Sequence, residues 1–273
     1  MAKVIMVVLD GLRYDVAKAS MGYLNHLLEV SKAACYKVKS ELPSLSRPLY
    51  EVLLTGTPSS VNGITGNQTV RLSNQKSIFH IASEQGLITA AAAYYWVSEL
   101  YNRAPFDRIE DREQHDSKQA IQHGKFYFDD TYPDTHLFAD AEVLRRQHDP
   151  DFLYIHPMGI DDIGHRYGGS SKEYRGKAME ADSILASLLP LWMEQGYEIV
   201  ITSDHGMSDE GQHGGITPEE RDVPLFCIGA AVKPGLYDEV IPQLGMAPLI
   251  CQMLAIPVDA GMKRESFPGF NQI

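Results

Sequence analysis

Apolar positions along this chain follow two rhythms. Val4–Leu9 is an unbroken apolar run rich in valine, the pattern of a strand buried on both faces in a parallel sheet. Phe152–Ile155, Ile199–Thr202 and Leu225–Ile228 repeat it. Leu87–Ala93 is a fifth such run, after a helix predicted around Ser77–Glu84. Between these runs the spacing turns helical, over Leu137–Arg146, Lys172–Gln195 and Ile241–Leu254. The second of these carries Met179, Ile184, Leu185, Leu188 and Leu189 on one side, and Pro190 is expected to kink or break it. Pro257 closes the third. Strands alternating with helices predict an α/β sandwich, a mostly parallel central sheet with helices on both faces. Residues 94–134 mix aromatics, charges and histidines without a period. They are expected to form a small cap or excursion over the sheet, within one domain spanning 1–273. The tail Phe267–Ile273 is expected to be a surface terminus.

Composition narrows this little. The 273 residues are 44% hydrophobic and 22% charged, which excludes wholesale disorder. The 24 Lys+Arg against 36 Asp+Glu give a formal charge of −12, which argues against a nucleic-acid polymer as partner. A small phosphorylated substrate stays open, because bound divalent cations reverse a local negative potential. Cys35, Cys227 and Cys251 are scattered and contain no CxxC, so they read as buried reduced thiols. Val4–Leu9 is too short for a signal core, and no run approaches the ~18 apolar residues of a membrane span. The expectation is a cytoplasmic protein with no membrane partner.

Ligands of open α/β sheets bind beyond the carboxyl ends of the strands. Asp10 ends the first strand; Asp161 and His165 follow the Phe152–Ile155 strand; Asp204 and His205 follow Ile199–Thr202; His213 comes soon after. Each alone has an ordinary explanation, an aspartate as helix N-cap or a histidine as a surface or core residue. Three Asp and three His at three strand ends fit those explanations poorly. Six N/O ligands could fill two sites for zinc or another first-row divalent ion. Ser46 precedes an apolar helical pattern, Leu49, Val52, Leu53 and Leu54, with Pro48 suited to its first turn. In isolation Ser46 reads as the N-cap; beside a metal its hydroxyl could lose its proton and attack.

With these residues in place the chain resembles the alkaline phosphatase superfamily, and within it the nucleotide pyrophosphatase/phosphodiesterase branch. The matching pieces are Leu9-Asp10-Gly11-Leu12-Arg13, Pro43–Pro48 with Leu54-Thr55-Gly56, Gly63–Asn67, Asp161–His165, Ser203–Met207, His213-Gly214-Gly215 and Val223-Pro224-Leu225, with the final helix Gly245–Pro257. They span nearly the whole chain in the family's order. The resemblance implies an alkaline-phosphatase-like fold and two zinc sites. Asp161, His165 and His213 would form one, and Asp10, Asp204 and His205 the other. Ser46 would be the nucleophile, bound to the second ion and forming a phosphoseryl intermediate. Asn67 would hold a phosphoryl oxygen, its ordinary alternative being a turn residue.

Three departures bear on substrate. The nucleophile is Ser where the branch usually has Thr. Arg47 stands where many members have an aromatic. The chain is short. Arg47 could bind a second anionic group or a phosphoryl oxygen, or it could pair with an acid such as Glu41 or Glu51 and brace the loop. The resemblance favours a phosphodiesterase. A phosphomonoesterase is one alternative. A phosphonoacetate-type C–P hydrolase is another, with Arg47, Lys118 or Lys125 taking the carboxylate. A non-enzymatic metal-dependent binding protein on the same fold is the alternative of a different class. A Rossmann or P-loop protein fits poorly: no GxGxxG follows a strand, and Gly56–Gly63 lacks the Lys-Ser/Thr ending.

Overall fold

The computed structural model describes residues 2–271. Its frame is one nine-stranded sheet. In chain order the strands are β1 Lys3–Val8, β2 Ala34–Lys39, β3 Thr89–Tyr94, β4 Glu113–His115, β5 His123–Tyr127, β6 Phe152–Ile155, β7 Tyr197–Thr202, β8 Asp222–Ile228 and β9 Gly235–Pro242. The spatial order is β4-β5-β3-β6-β1-β7-β8-β2-β9. Pairing is parallel except at β4–β5, β7–β8 and β8–β2. The fold is therefore the mixed, mostly parallel α/β sandwich that the strand–helix alternation predicts.

The uninterrupted apolar runs are the central strands. On β1, Val4, Met6 and Val8 enter the core on one face of the sheet, while Ile5 and Val7 enter the core on the other. Helices Ser46–Thr55, Ile78–Glu84 and Met246–Met253 cover the first face, through Tyr50, Leu53, Phe79 and Ile250. Helices Tyr14–Ser20, Asp134–His148 and Lys172–Glu194 cover the second, through Ala17, Phe138, Leu185 and Trp192. With both sides wrapped, neither face of β1 meets water, so its residues show no polar alternation.

Four expectations change. Helix Lys172–Glu194 runs unbroken through Pro190, which lies on its exposed side; one lost hydrogen bond is tolerated where water can replace it. Ile241 lies in β9, which ends at Pro242, rather than starting a helix, and a 3₁₀ turn at Gln243–Gly245 leads into helix Met246–Met253. The tail packs inward as far as it is described: Phe267 meets Tyr36 edge-on, the Tyr36 hydroxyl donates to Pro268 O, and Phe270 bridges to Val232. Its last two residues lie outside the described range. Finally, residues 94–134 supply helix Trp96–Tyr101 and two strands of the sheet itself. In that stretch β5 runs parallel to β3, and β4 closes the edge.

Candidate active site

Strands β6, β1 and β7 are adjacent and parallel, so the residues after their carboxyl ends fall together. Asp10 leaves β1 and Gly11 turns the chain at φ +74°, a region that suits glycine. A Cβ at Gly11 would stand 3.0 Å from Asp161, so this glycine also lets helix Gly159–Tyr167 close over the turn. That helix carries Asp161 and His165 one turn apart, with His165 Nε2 3.3 Å from Asp161 Oδ2. From the β7 end, Asp204 accepts the Gly11 N–H at 3.2 Å. Asp10, Asp204 and His205 are fully buried.

The candidate ligands gather as two groups, Asp161, His165 and His213, and Asp10, Asp204 and His205. In each imidazole Nδ1 faces a backbone carbonyl: His165 toward Gly211 O, His205 toward Gly206 O and His213 toward Ser44 O, all at 2.9 Å. A carbonyl only accepts, so each Nδ1 carries a proton. Burial holds His205 and His213 down, leaving their Nε2 lone pairs free, whereas the hydrogen bond to Asp161 raises His165 to about 9, and its Nε2 proton would leave on binding a cation. The three Nε2 atoms converge. His165 Nε2 and His213 Nε2 are 3.2 Å apart, and the His205 and His213 rings stack at 3.7 Å. One buried carboxylate oxygen on each of Asp10, Asp161 and Asp204 has no hydrogen-bond partner among the described residues. Burial, then the charges of Asp204 and Asp161, push the Asp10 carboxyl well up; burial, then Asp161, lift Asp204 to about 7. For Asp161 burial acts upward, but the hydrogen bond from His165 and the neighbouring imidazoles outweigh it and hold the group below its usual value. Unpaired carboxylate oxygens and inward lone pairs form the donor set of a divalent-cation site, with carbonyl partners orienting the imidazoles from behind. The residues present fit two such ions.

Ser46 lies beside the second group, its Oγ 3.0 Å from His205 Nε2. It is the first residue of its helix; the cap position is Leu45, which makes no side-chain cap bond. The Ser46 hydroxyl is therefore free of the N-cap role. The Asn67 carboxamide oxygen accepts the Arg47 N–H at 3.1 Å, which turns its NH₂ into the available end. Pro48 has no N–H, so Asn67 takes up one of the few free donors of that helix start.

Arg47 corrects its expectation as a substrate ligand. Its side chain is 1% exposed, its guanidinium pairs with Glu99 at 2.7 Å and donates to Thr69 O, and it lies 4.6 Å over the Trp96 ring. It braces the helix start, with Glu99 as partner in place of Glu41 or Glu51. Lys125, also a candidate for a substrate carboxylate, pairs from β5 with Glu113 of β4 at 2.9 Å, and Lys118 is exposed in the turn after β4.

Two supporting residues escaped the sequence reading. His156 Nε2 is 2.9 Å from Asp10 Oδ2, and the Tyr50 hydroxyl donates to the same oxygen. His156 directly follows β6, so the strand-end rule that found Asp161 could have found it. Tyr50 sits one turn after Ser46 on the same helix face.

The family model described as type I phosphodiesterase / nucleotide pyrophosphatase matches residues 4–220. Among curated relatives, the human GPI ethanolamine phosphate transferase 2 catalytic subunit is 25% identical over 94% of this chain and 27% of its own length. GPI ethanolamine phosphate transferase 1 of Neurospora crassa is 29% identical over 74% of this chain and 21% of its own. The chain thus spans about a quarter of these relatives' length. Among solved structures, murine ectonucleotide pyrophosphatase/phosphodiesterase 5 superposes with TM-score 0.74 at 14% identity, covering 94% of this chain and 96% of that one. A phosphonate monoester hydrolase from Silicibacter pomeroyi gives 0.69 at 14%, covering 97% and 76%. At such identities these two show the fold alone.

The relatives overturn the expectations of a cytoplasmic location and of no membrane partner. They are named for GPI, a glycolipid, and are several times longer than this chain. No described helix is long and apolar enough to cross a membrane, which does not restore those expectations. By the family match and the shared architecture, this chain belongs to the type I phosphodiesterase/nucleotide pyrophosphatase family of the alkaline phosphatase superfamily.

Proposed function

We propose that this chain transfers a phosphoryl group from a phosphodiester, with Ser46 as the group that takes it up. The observation that supports this most is the position of Ser46 Oγ, buried and 3.0 Å from His205 Nε2, at the start of a helix and beside two groups of three ligands. Asp161, His165 and His213 would hold one divalent cation, and Asp10, Asp204 and His205 the other, with zinc suited to the N/O donor set. Bound there, the ions supply positive charge that lowers the pKa of a hydroxyl and neutralises phosphoryl oxygens.

The chain's own residues do the rest. The Ser46 hydroxyl gives up its proton to solvent and its Oγ attacks phosphorus; one ester oxygen leaves with its electron pair, giving a phosphoseryl group that still carries the other ester. The Asn67 NH₂ donates to a non-bridging oxygen, held for that task by its bond to the Arg47 N–H. The helix start adds its dipole. His156 and Tyr50 fix Asp10. A hydroxyl then attacks the phosphoserine and restores Ser46. With water the outcome is hydrolysis; with an alcohol it is transfer. The curated relatives' names, ethanolamine phosphate transferases, favour an alcohol as the physiological acceptor.

The test is a panel of para-nitrophenyl monoester, diester and phosphonate substrates on zinc-reconstituted protein, with and without added simple alcohols. The proposal expects diester turnover above the other two and alcohol capture of part of the product. Preference for the monoester would move the reading to a phosphomonoesterase. No turnover of any substrate by fully loaded protein would leave the binding-protein reading.

A further inference from the structure

A third group of potential ligands lies far from Ser46. His115 on β4, His123 at the start of β5 and His148 at the last turn of helix Asp134–His148 bring ring nitrogens within 4.8 Å of one another. β5 runs parallel to β3, pairing His123 with Ala90 near the start of that strand, and His148 comes shortly before β6 begins. This group therefore sits at the amino ends of the parallel strands, whereas Asp10, His156 and Asp204 follow their carboxyl ends.

We propose that His115, His123 and His148 form a separate site for a first-row divalent ion of the zinc class, which clamps the β4–β5 hairpin to the end of helix Asp134–His148. Three observations carry it. His115 Nδ1 and His123 Nδ1 stand 3.1 Å apart, close to the spacing of about 3.3 Å between two nitrogens bound to one tetrahedral zinc. His148 stacks on His123 with ring centres 3.6 Å apart and planes 7° from parallel. Its Nε2 is buried and has no hydrogen-bond partner among the described residues. To share an ion with the other two, the His148 ring would turn out of this stack. Glu113 Oε1 lies 3.4 Å from His115 Nε2 and also pairs with Lys125 at 2.9 Å, so the carboxylate borders the group with its charge already matched. Burial, followed by the charges of His148 and His115, pushes the His123 imidazole down to about 4. Three imidazole nitrogens with a fourth position left to water suit Zn²⁺ or a neighbouring first-row ion.

The three ligands come from the edge strand β4, its neighbour β5 and a helix end, and all three residues of β4 are exposed or half-buried. An ion there would tie β4, which has little packing of its own, to that helix.

The experiment is Zn²⁺ binding to the whole chain, by equilibrium dialysis and metal analysis, compared with His115→Asn and His148→Asn. Both positions are partly exposed, and neither lies near Ser46. Wild type is expected to hold one equivalent more than either variant, and all three proteins to keep the same diesterase rate when saturated. With zinc at about 100 times its dissociation constant for this site, wild type should melt roughly 5 °C higher than the variants. If one variant misfolds, the other carries the comparison. Equal zinc content and equal zinc-induced melting shifts in wild type and variants would overturn the proposal, whatever the ions at Ser46 do.

Discussion

Residue scale is where the chemistry is concentrated. Asn67 offers its NH₂ outward only because its oxygen is occupied by Arg47 N–H. Asn67→Asp keeps that acceptor and removes both donors. It should lower kcat by about 10²-fold or more, as for other oxyanion donors, with little change in melting temperature. A large loss of stability with normal kcat would return Asn67 to a turn role. His156 is the informative surprise. His156→Leu removes the bond to Asp10 Oδ2 while filling most of the volume. It should weaken ion binding by about 10- to 100-fold, read by metal titration, since the partners behind a ligand tune its affinity. Unchanged affinity would mean that Tyr50 alone holds Asp10. The meeting of Asp10, Asp161, Asp204 and the three histidines was legible in sequence because all follow strand ends. His156 was not, because an apolar run ending in His-Pro has many ordinary meanings.

At the scale of the element, helix Ser46–Thr55 is unusual in being buried along its whole length, charged residues included. Arg47 and Glu99 pair there at 1% and 5% side-chain exposure. Arg47→Ala leaves the Glu99 charge buried without a partner and should cost about 3–5 kcal/mol in denaturant unfolding. Arg47→Met with Glu99→Gln should recover most of that, because no unpaired charge remains. A substrate-specific loss of affinity without destabilisation would instead place Arg47 on the substrate. No sequence pattern could pick Glu99 as its partner, since the contact joins residues 52 apart on separate helices.

Glu51, on the same helix, is fully buried and accepts from the Tyr101 and Ser73 hydroxyls. Burial pushes its carboxyl up to about 7 from 4.5. The folded state therefore holds this proton more tightly than the unfolded chain does. The resulting stability is fully present below about pH 4.5 and is lost as pH rises through 7. Glu51→Gln, which cannot ionise, should raise stability at pH 8.5 by roughly 1–3 kcal/mol and by much less at pH 5. Equal effects at both values, read from denaturant curves, would show that Glu51 does not titrate in this range.

For the whole molecule, the sheet was legible where strands are buried on both faces, as β1, β6 and β7 are, because such runs are apolar throughout. It was not legible at the edges. β4, Glu113–His115, is three polar residues held by pairing to β5, and β9 exposes Leu236, Asp238, Glu239 and Val240; both owe their strand form to a neighbour. Ion binding at the site after β1, β6 and β7 should act on the global fold, because the buried carboxylates repel one another without it. Chelation should therefore lower the melting temperature and abolish turnover together, and zinc should restore both. Full activity after stripping would contradict a metal-dependent reaction.

The central claim is that Ser46 carries the phosphoryl group. It is tested most directly by mixing zinc-loaded protein with a phosphodiester, quenching in acid within milliseconds, and mapping the adduct by peptide mass spectrometry. The prediction is a substrate-derived phosphoryl adduct on Ser46, formed at least as fast as turnover and absent from Ser46→Ala, which should retain its ions but not its activity. Undiminished hydrolysis by Ser46→Ala, with no adduct on the wild-type serine, would contradict it.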